Sequence, residues 1–126
     1  IDPTRRLMHY TCAGHEPVFI LCPDGRVIPL PPTAPLIGIF DDQHHLFKQA
    51  FVEITPGSIF IGATDGVTEA RNSSNELFGM ERLIATAKAH SGDSEEAIVQ
   101  AILHDVEIFC DGKRRDDMAV VVVRFL

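Results

Sequence analysis

Apolar positions fall into two regimes along the chain. Up to residue 63 they come in short runs broken by turn-forming residues; beyond residue 79 they recur at helical spacing. Leu7 to Cys12 and Val18 to Cys22 read as strands. Pro23-Asp24-Gly25-Arg26 carries the Asp-Gly signal of a tight hairpin into Val27-Ile28. Prolines at 29, 31, 32 and 35 mark a loop or extended edge, because proline supplies no amide donor. A second strand pair is expected from Leu46 to Ile54 and Ser58 to Ala63, joined across Pro56-Gly57. Ser58 to Ala63 is apolar on both faces, which places it inside a layered fold. It runs out into Thr64-Asp65-Gly66, an acidic side chain at the exit of a buried strand.

Two helices follow. Met80, Leu83, Ile84 and Ala87 form one stripe, bracketed by Gly79 and Gly92. Ala97, Ile98, Ala101, Ile102, Val106 and Phe109 form a second, with Asp93 or Ser94 as cap and Glu95 and Glu96 in the first turn. The β-branched run within Met118 to Leu126 predicts a central strand buried on both faces. The sequence shows no internal repeat, heptad pattern or low-complexity tract.

Composition narrows the class. With 126 residues the chain is one ordinary domain or a piece of one. Eleven Lys and Arg against 18 Asp and Glu leave a net charge of −7, which argues against nucleic acid as a partner. A 45% hydrophobic and 23% charged composition excludes wholesale disorder. No apolar run approaches the ~18 residues of a membrane span, so this segment is expected to make no membrane contact. Ile1 to Arg6 is too polar for a signal peptide core. Cys12, Cys22 and Cys110 form neither a disulfide framework nor a zinc pattern. The expectation is a soluble, acidic, cytoplasmic α+β chain.

Chemistry concentrates at two acidic features, Asp65-Gly66 and Asp116-Asp117, each at the end of a predicted strand. Were those strands neighbours, their carboxylates would converge and repel, and a hard divalent cation would relieve that repulsion. Gly66 would allow close backbone approach and offer a carbonyl. Spacing alone favours the plainer reading, a turn and a solvated approach to a strand. Other candidates are weaker. Cys12 and His15 have Cys-x-x-His spacing without a second ligand pair. His44-His45, after Asp41-Asp42, reads as solvated loop. Cys110 lacks the arginine loop of a cysteine phosphatase. Lys113-Arg114-Arg115 reads as a solvated turn or as a lure for an anionic partner, and Arg71 and Arg82 as surface or packing residues.

Five segments, in order, make the sequence recognisable. Thr64 to Asn72, with Glu76-Leu77-Phe78-Gly79 and Arg82-Leu83, resembles the SpoIIE-like, RsbU-like branch of metal-dependent protein serine/threonine phosphatases (the PPM superfamily). Ala13-Gly14-His15-Glu16-Pro17 is similar to that branch's Asn-Ala-Gly-His-x-Pro segment, with Cys12 in place of Asn. Leu36-Ile37-Gly38-Ile39 is similar to its Pro-Leu-Gly-Leu turn. Ile54-Thr55-Pro56-Gly57-Ser58 resembles Leu-x-Pro-Gly-Asp with Ser58 replacing Asp, and Asp116-Asp117-Met118-Ala119 its closing Asp-Asp-Ile-Thr.

The resemblance implies a PPM-like α-β-β-α layered sandwich and a binuclear Mg²⁺ or Mn²⁺ centre acting on phosphoserine or phosphothreonine. It assigns Asp65, Gly66 and Asp116 to the metals, with Asp117 in support. It implies a phosphorylated anti-anti-sigma-type protein as substrate in bacterial signalling or stress response, and a parent chain with an N-terminal sensory or receiver region. The branch's early Gly-Asp segment, whose carboxylate bridges both metals, has no counterpart before Leu7. Residues 1–126 are therefore expected to form the C-terminal part of one such domain, incomplete at its N-terminal side. Weak or absent activity and homodimerisation through uncovered sheet surface are expected of this chain alone. The competing expectation is a non-catalytic phosphatase-fold module that docks a signalling partner.

Overall fold

The computed structural model describes residues 1–15, 18–39, 41, 46–113 and 116–126. Among them the chain forms β1 (Leu7–Tyr10), β2 (Val18–Leu21), β3 (Val27–Pro29), β4 (Ala50–Glu53), β5 (Ile59–Ala63), α1 (Asp65–Thr68), α2 (Gly79–Ala89), α3 (Glu95–Phe109) and β6 (Val120–Arg124). Strands β3-β2-β5-β6 make an antiparallel four-stranded sheet, and β1-β4 a separate pair.

The hairpin forms as its sequence predicts. The Gly25 amide donates to Cys22 O at 2.9 Å, and the glycine adopts φ +83°, a conformation that side-chain-bearing residues rarely take. The second strand pair does not form. β4 pairs with β1, from Leu7 opposite Glu53 to Tyr10 opposite Ala50, while β5 lies between β2 and β6. Pro56-Gly57 carries the chain from one sheet to the other, with the Gly57 amide donating to Phe125 O at 2.6 Å. The reason is polarity. Ala50-Phe51-Val52-Glu53 has no fully buried residue, whereas β5 buries every residue except Phe60 to below a tenth of its surface. A strand that carries Glu53 on one face suits the smaller, more exposed sheet.

The last strand also departs from expectation. Among the described residues β6 is an edge strand that pairs with β5 alone, and its residues alternate. Val120 and Val122 pack into the helix-side core, whereas Val121 is 55% and Val123 43% exposed. β-branched composition specifies an extended backbone but not how many neighbours it has.

Two apolar layers hold the molecule. One lies between the larger sheet and the helices, where Phe19, Ile61 and Val67 meet Leu83, Ile98, Ile102 and Val106. The other lies between the sheets and contains Met8, Ile20, Leu30 and Ile54. Among the described residues the order is thus helix, sheet, sheet, three of the four expected layers. Ser94 caps α3 by accepting the Ala97 amide at 3.2 Å, and Ile98, Ile102 and Val106 are fully buried along its inner face. Burying such side chains is worth roughly 1.5–3 kcal/mol each. In α2 the buried face is Leu83, Thr86 and Ala87, with Met80 at the rim. Arg124 of β6 ties the sheet to the turn before α3. Its Nε donates to Glu95 Oε1 at 2.8 Å, and its Nη1 to Ser91 O at 3.0 Å.

Candidate metal centre

β5 delivers its acidic residue where β6 begins. After Ala63 the chain passes through Thr64, extended at ψ 161°, and turns into α1, whose first residue is Asp65. The segment leading into β6 lies directly against it. The Thr64 amide donates to Ala119 O at 3.0 Å, and the Ala119 amide donates back to Thr64 Oγ1 at 3.0 Å. Thr64 Oγ1 in turn donates to Asp117 O at 3.3 Å. Gly66 is the point of closest approach. A Cβ there would stand 2.3 Å from Asp117 O and 3.5 Å from Asp116 Cβ. Only a hydrogen fits, so the glycine is required by the space and not by its dihedral angles.

The structure thus brings together Asp65, Gly66, Asp116 and Asp117. The three carboxyl-bearing residues are exposed at the lip of the sheet. Asp65 Oδ1 accepts the Gly66 amide at 2.9 Å, and Asp116 Oδ1 accepts the Asp117 amide at 2.8 Å. The Asp65 and Asp116 carboxylates are therefore each oriented through one oxygen by the next amide along the chain. Among the described residues no group of three or more His, Cys, Asp or Glu side chains gathers as a ready-made cage. The donors are hard oxygens, the type that Mg²⁺ and Mn²⁺ take, and the backbone approach at Gly66 keeps the two acidic segments in one place. Their donor chemistry is that of a divalent-cation site, while their side chains do not close into a complete one among the described residues.

A cavity of about 180 Å³ adjoins this lip, lined in part by Gly66, Glu69, Arg71, Cys110, Lys113 and Asp116. Lys113 is exposed at its edge; Arg114 and Arg115 lie outside the described residues. Arg71 Nη1 donates to Asn75 O at 2.9 Å, and Arg82 caps Leu77 O and Phe78 O, so both arginines hold local backbone. Asp24-Gly25 sits at the hairpin tip, where the Arg26 guanidinium holds the Asp24 carboxyl below its ordinary range. Cys12 directs its thiol to His15 O at 3.0 Å, not to the imidazole. Cys110 is buried in the cavity wall. Glu16, Pro17, Asp42, His44 and His45 lie outside the described residues.

The hydroxyl of Thr64 escaped sequence reasoning. A hydroxyl residue directly before Asp-Gly was the available signal, but its partners lie 53 and 55 residues away. The turns of the resembling segments also touch: Gly14, at φ +73°, leaves room only for Leu36, whose Cδ2 would lie 2.7 Å from a Cβ there.

Comparison with known proteins bears on this geometry. The chain is 36% identical over 124 residues to protein IcfG of Synechocystis sp., covering 98% of this chain and 19% of IcfG. In fold it is similar to the SiaA-PP2C domain of Pseudomonas aeruginosa, with TM-score 0.80 at 21% identity, over 98% of this chain and 48% of that one. It is likewise similar to the PP2C phosphatase domain, with a fragment of the regulatory domain, of the cell fate determinant SpoIIE from Bacillus subtilis. There the TM-score is 0.78 at 22% identity, over 99% of this chain and 36% of that one. The chain thus spans less than half the length of each of these three proteins. The sequence profile of stage II sporulation protein E (SpoIIE) matches residues 1–126. By that match across its whole length the chain belongs to the SpoIIE family, and its fold is that of the PP2C domains just compared.

Proposed function

We propose that residues 1–126 are the C-terminal part of a domain that hydrolyses phosphoserine or phosphothreonine on a regulatory protein, with divalent-cation dependence. The observation that carries this reading is the close approach of Asp117 O to Gly66, which sets two acidic segments side by side at one sheet end. Asp65, the Gly66 carbonyl and Asp116 would hold the cations, with Asp117 in support. When bound there, a pair of Mg²⁺ or Mn²⁺ ions supplies charge stabilisation at phosphoryl oxygens and lowers the pKa of water. The chain's own residues do the rest. The Gly66 and Asp117 amides orient the carboxylates, and Thr64 joins the segments that bear them. Lys113, at the edge of the adjoining cavity, would draw an anionic phosphoprotein toward this end.

A substrate of the anti-anti-sigma type, a cytoplasmic setting and an N-terminal sensory or receiver region complete the reading. The shares of 48% and 36% of the solved relatives support a domain larger than this chain. Two acidic segments leave most of six coordination positions per cation unfilled, so this chain alone should turn over phosphoserine weakly or not at all. The full-length parent is the decisive sample. Its Mn²⁺-dependent phosphate release from a phosphoserine protein should disappear in Asp65→Ala and Asp116→Ala. Full activity in both variants would overturn the assignment. Tight phosphoprotein binding without turnover by the parent would instead establish the docking module.

A further inference from the structure

We infer that Thr64 is a positioning residue whose hydroxyl fixes the Asp116-Asp117 segment against Asp65-Gly66. The inference rests on the cation-site reading above and assigns it a part that neither the resemblance nor the fold names. The geometry is specific to a hydroxyl. One oxygen accepts the Ala119 amide at 3.0 Å and donates its own proton to Asp117 O at 3.3 Å. These two bonds bracket Met118 and hold the three-residue approach to β6 at both ends. The carbonyl that Thr64 holds is the one that closes over Gly66. The backbone bond from the Thr64 amide to Ala119 O aligns the strands but cannot fix Asp117, which lies three residues beyond the ladder's end at Val120. Without the hydroxyl, Asp117 would be free to swing off Gly66 and carry Asp116 with it.

Side chains that orient ligands without touching the metal set affinity through the geometry they impose, and losing one typically weakens binding about 10–100-fold. Valine keeps the shape and β-branching of threonine and removes both bonds; serine keeps both. The test is a Mn²⁺ titration of the full-length parent, followed by paramagnetic broadening of the Gly66 and Asp117 amide signals, beside hydrogen exchange of the Ala119 amide without metal. Thr64→Val should raise the Mn²⁺ concentration for half-broadening by about tenfold and speed Ala119 exchange. Thr64→Ser should restore both. Thr64→Ala replaces the valine variant if the latter fails to fold, judged by the native shifts of Ile98 and Ile102. Equal Mn²⁺ response in wild type and Thr64→Val, or unchanged Ala119 exchange, overturns the inference while leaving the cation reading intact. A wild-type parent that shows no specific broadening overturns the cation reading and, with it, the positioning role.

Discussion

Adding one methyl group at Gly66 tests whether the two acidic segments really meet. In Gly66→Ala the new Cβ begins 2.3 Å from Asp117 O, whereas real Cβ contacts essentially never fall below 3.0 Å. The obstacle is backbone, so the segment has to retreat by about 0.7 Å, since no flexible side chain can yield instead. The weakest restraint goes first. The Thr64 Oγ1 bond to Asp117 O, already 3.3 Å long, would pass out of hydrogen-bonding range. Overpacking of this kind costs about 1–3 kcal/mol. Alanine recovers up to about 1 kcal/mol over glycine in helical backbone, and Gly66 lies in α1 without a positive φ. With the full alanine gain the net expectation is a loss of up to about 2 kcal/mol, or as much as roughly 8 °C in melting temperature for a chain of this size. Circular dichroism melts check the stability, and a Mn²⁺ titration of the same protein should show weakened binding. An unchanged or raised melting temperature with unaltered Mn²⁺ binding would refute the close approach, and with it the geometric basis of the site.

Three further perturbations probe other parts of the molecule. Ile102, fully buried beneath α3, should cost about 2–5 kcal/mol as Ile102→Ala, and Ile102→Asp should leave the chain unfolded; a denaturant melt with an unchanged midpoint would refute the packing. Ser58 Oγ is buried with no hydrogen-bond partner among the described residues, so Ser58→Ala should be neutral or stabilise by up to about 1 kcal/mol, measured by urea unfolding. Glu95 is held below its ordinary carboxylate range, first by its own backbone amide and then by Arg124. Because the folded-state value is the lower one, its contribution is present above the unfolded-state value and is lost as pH falls through the folded-state value. Glu95→Gln should therefore narrow its stability gap to wild type on acidification, read from urea midpoints across the acid range.

Local rules were legible in the sequence because they involve few neighbours. Asp24-Gly25 set the hairpin, and Ser94 followed by Glu95 and Glu96 set the start of α3. Strand partnership was not legible, since an apolar run says nothing of what it pairs with. Proximity in sequence suggested β4 with β5, but the half-polar face of β4 suits the smaller sheet. The valines of β6 announced extended backbone, and only the three-dimensional arrangement shows that Val121 and Val123 lie uncovered. At the site, the acidic pairs were visible as residues at strand ends, while their meeting depended on the pairing of β5 with β6. The double role of the Thr64 hydroxyl followed from that same pairing.

The bond between Thr64 and Ala119 spans 55 residues, so the acidic lip exists only after a long loop has closed. Its component residues are distant in the unfolded chain, which therefore has no comparable site for a cation. Whatever affinity the folded lip has then acts as a contribution to folding itself, about 2.7 kcal/mol at a cation concentration 100 times the dissociation constant. Docking of β6 on β5 is a contact of high sequence separation, and such contacts slow folding. A cation that binds after that closure would slow unfolding more than it speeds folding. Such a lip would serve as a latch on the last strand as well as a place for chemistry.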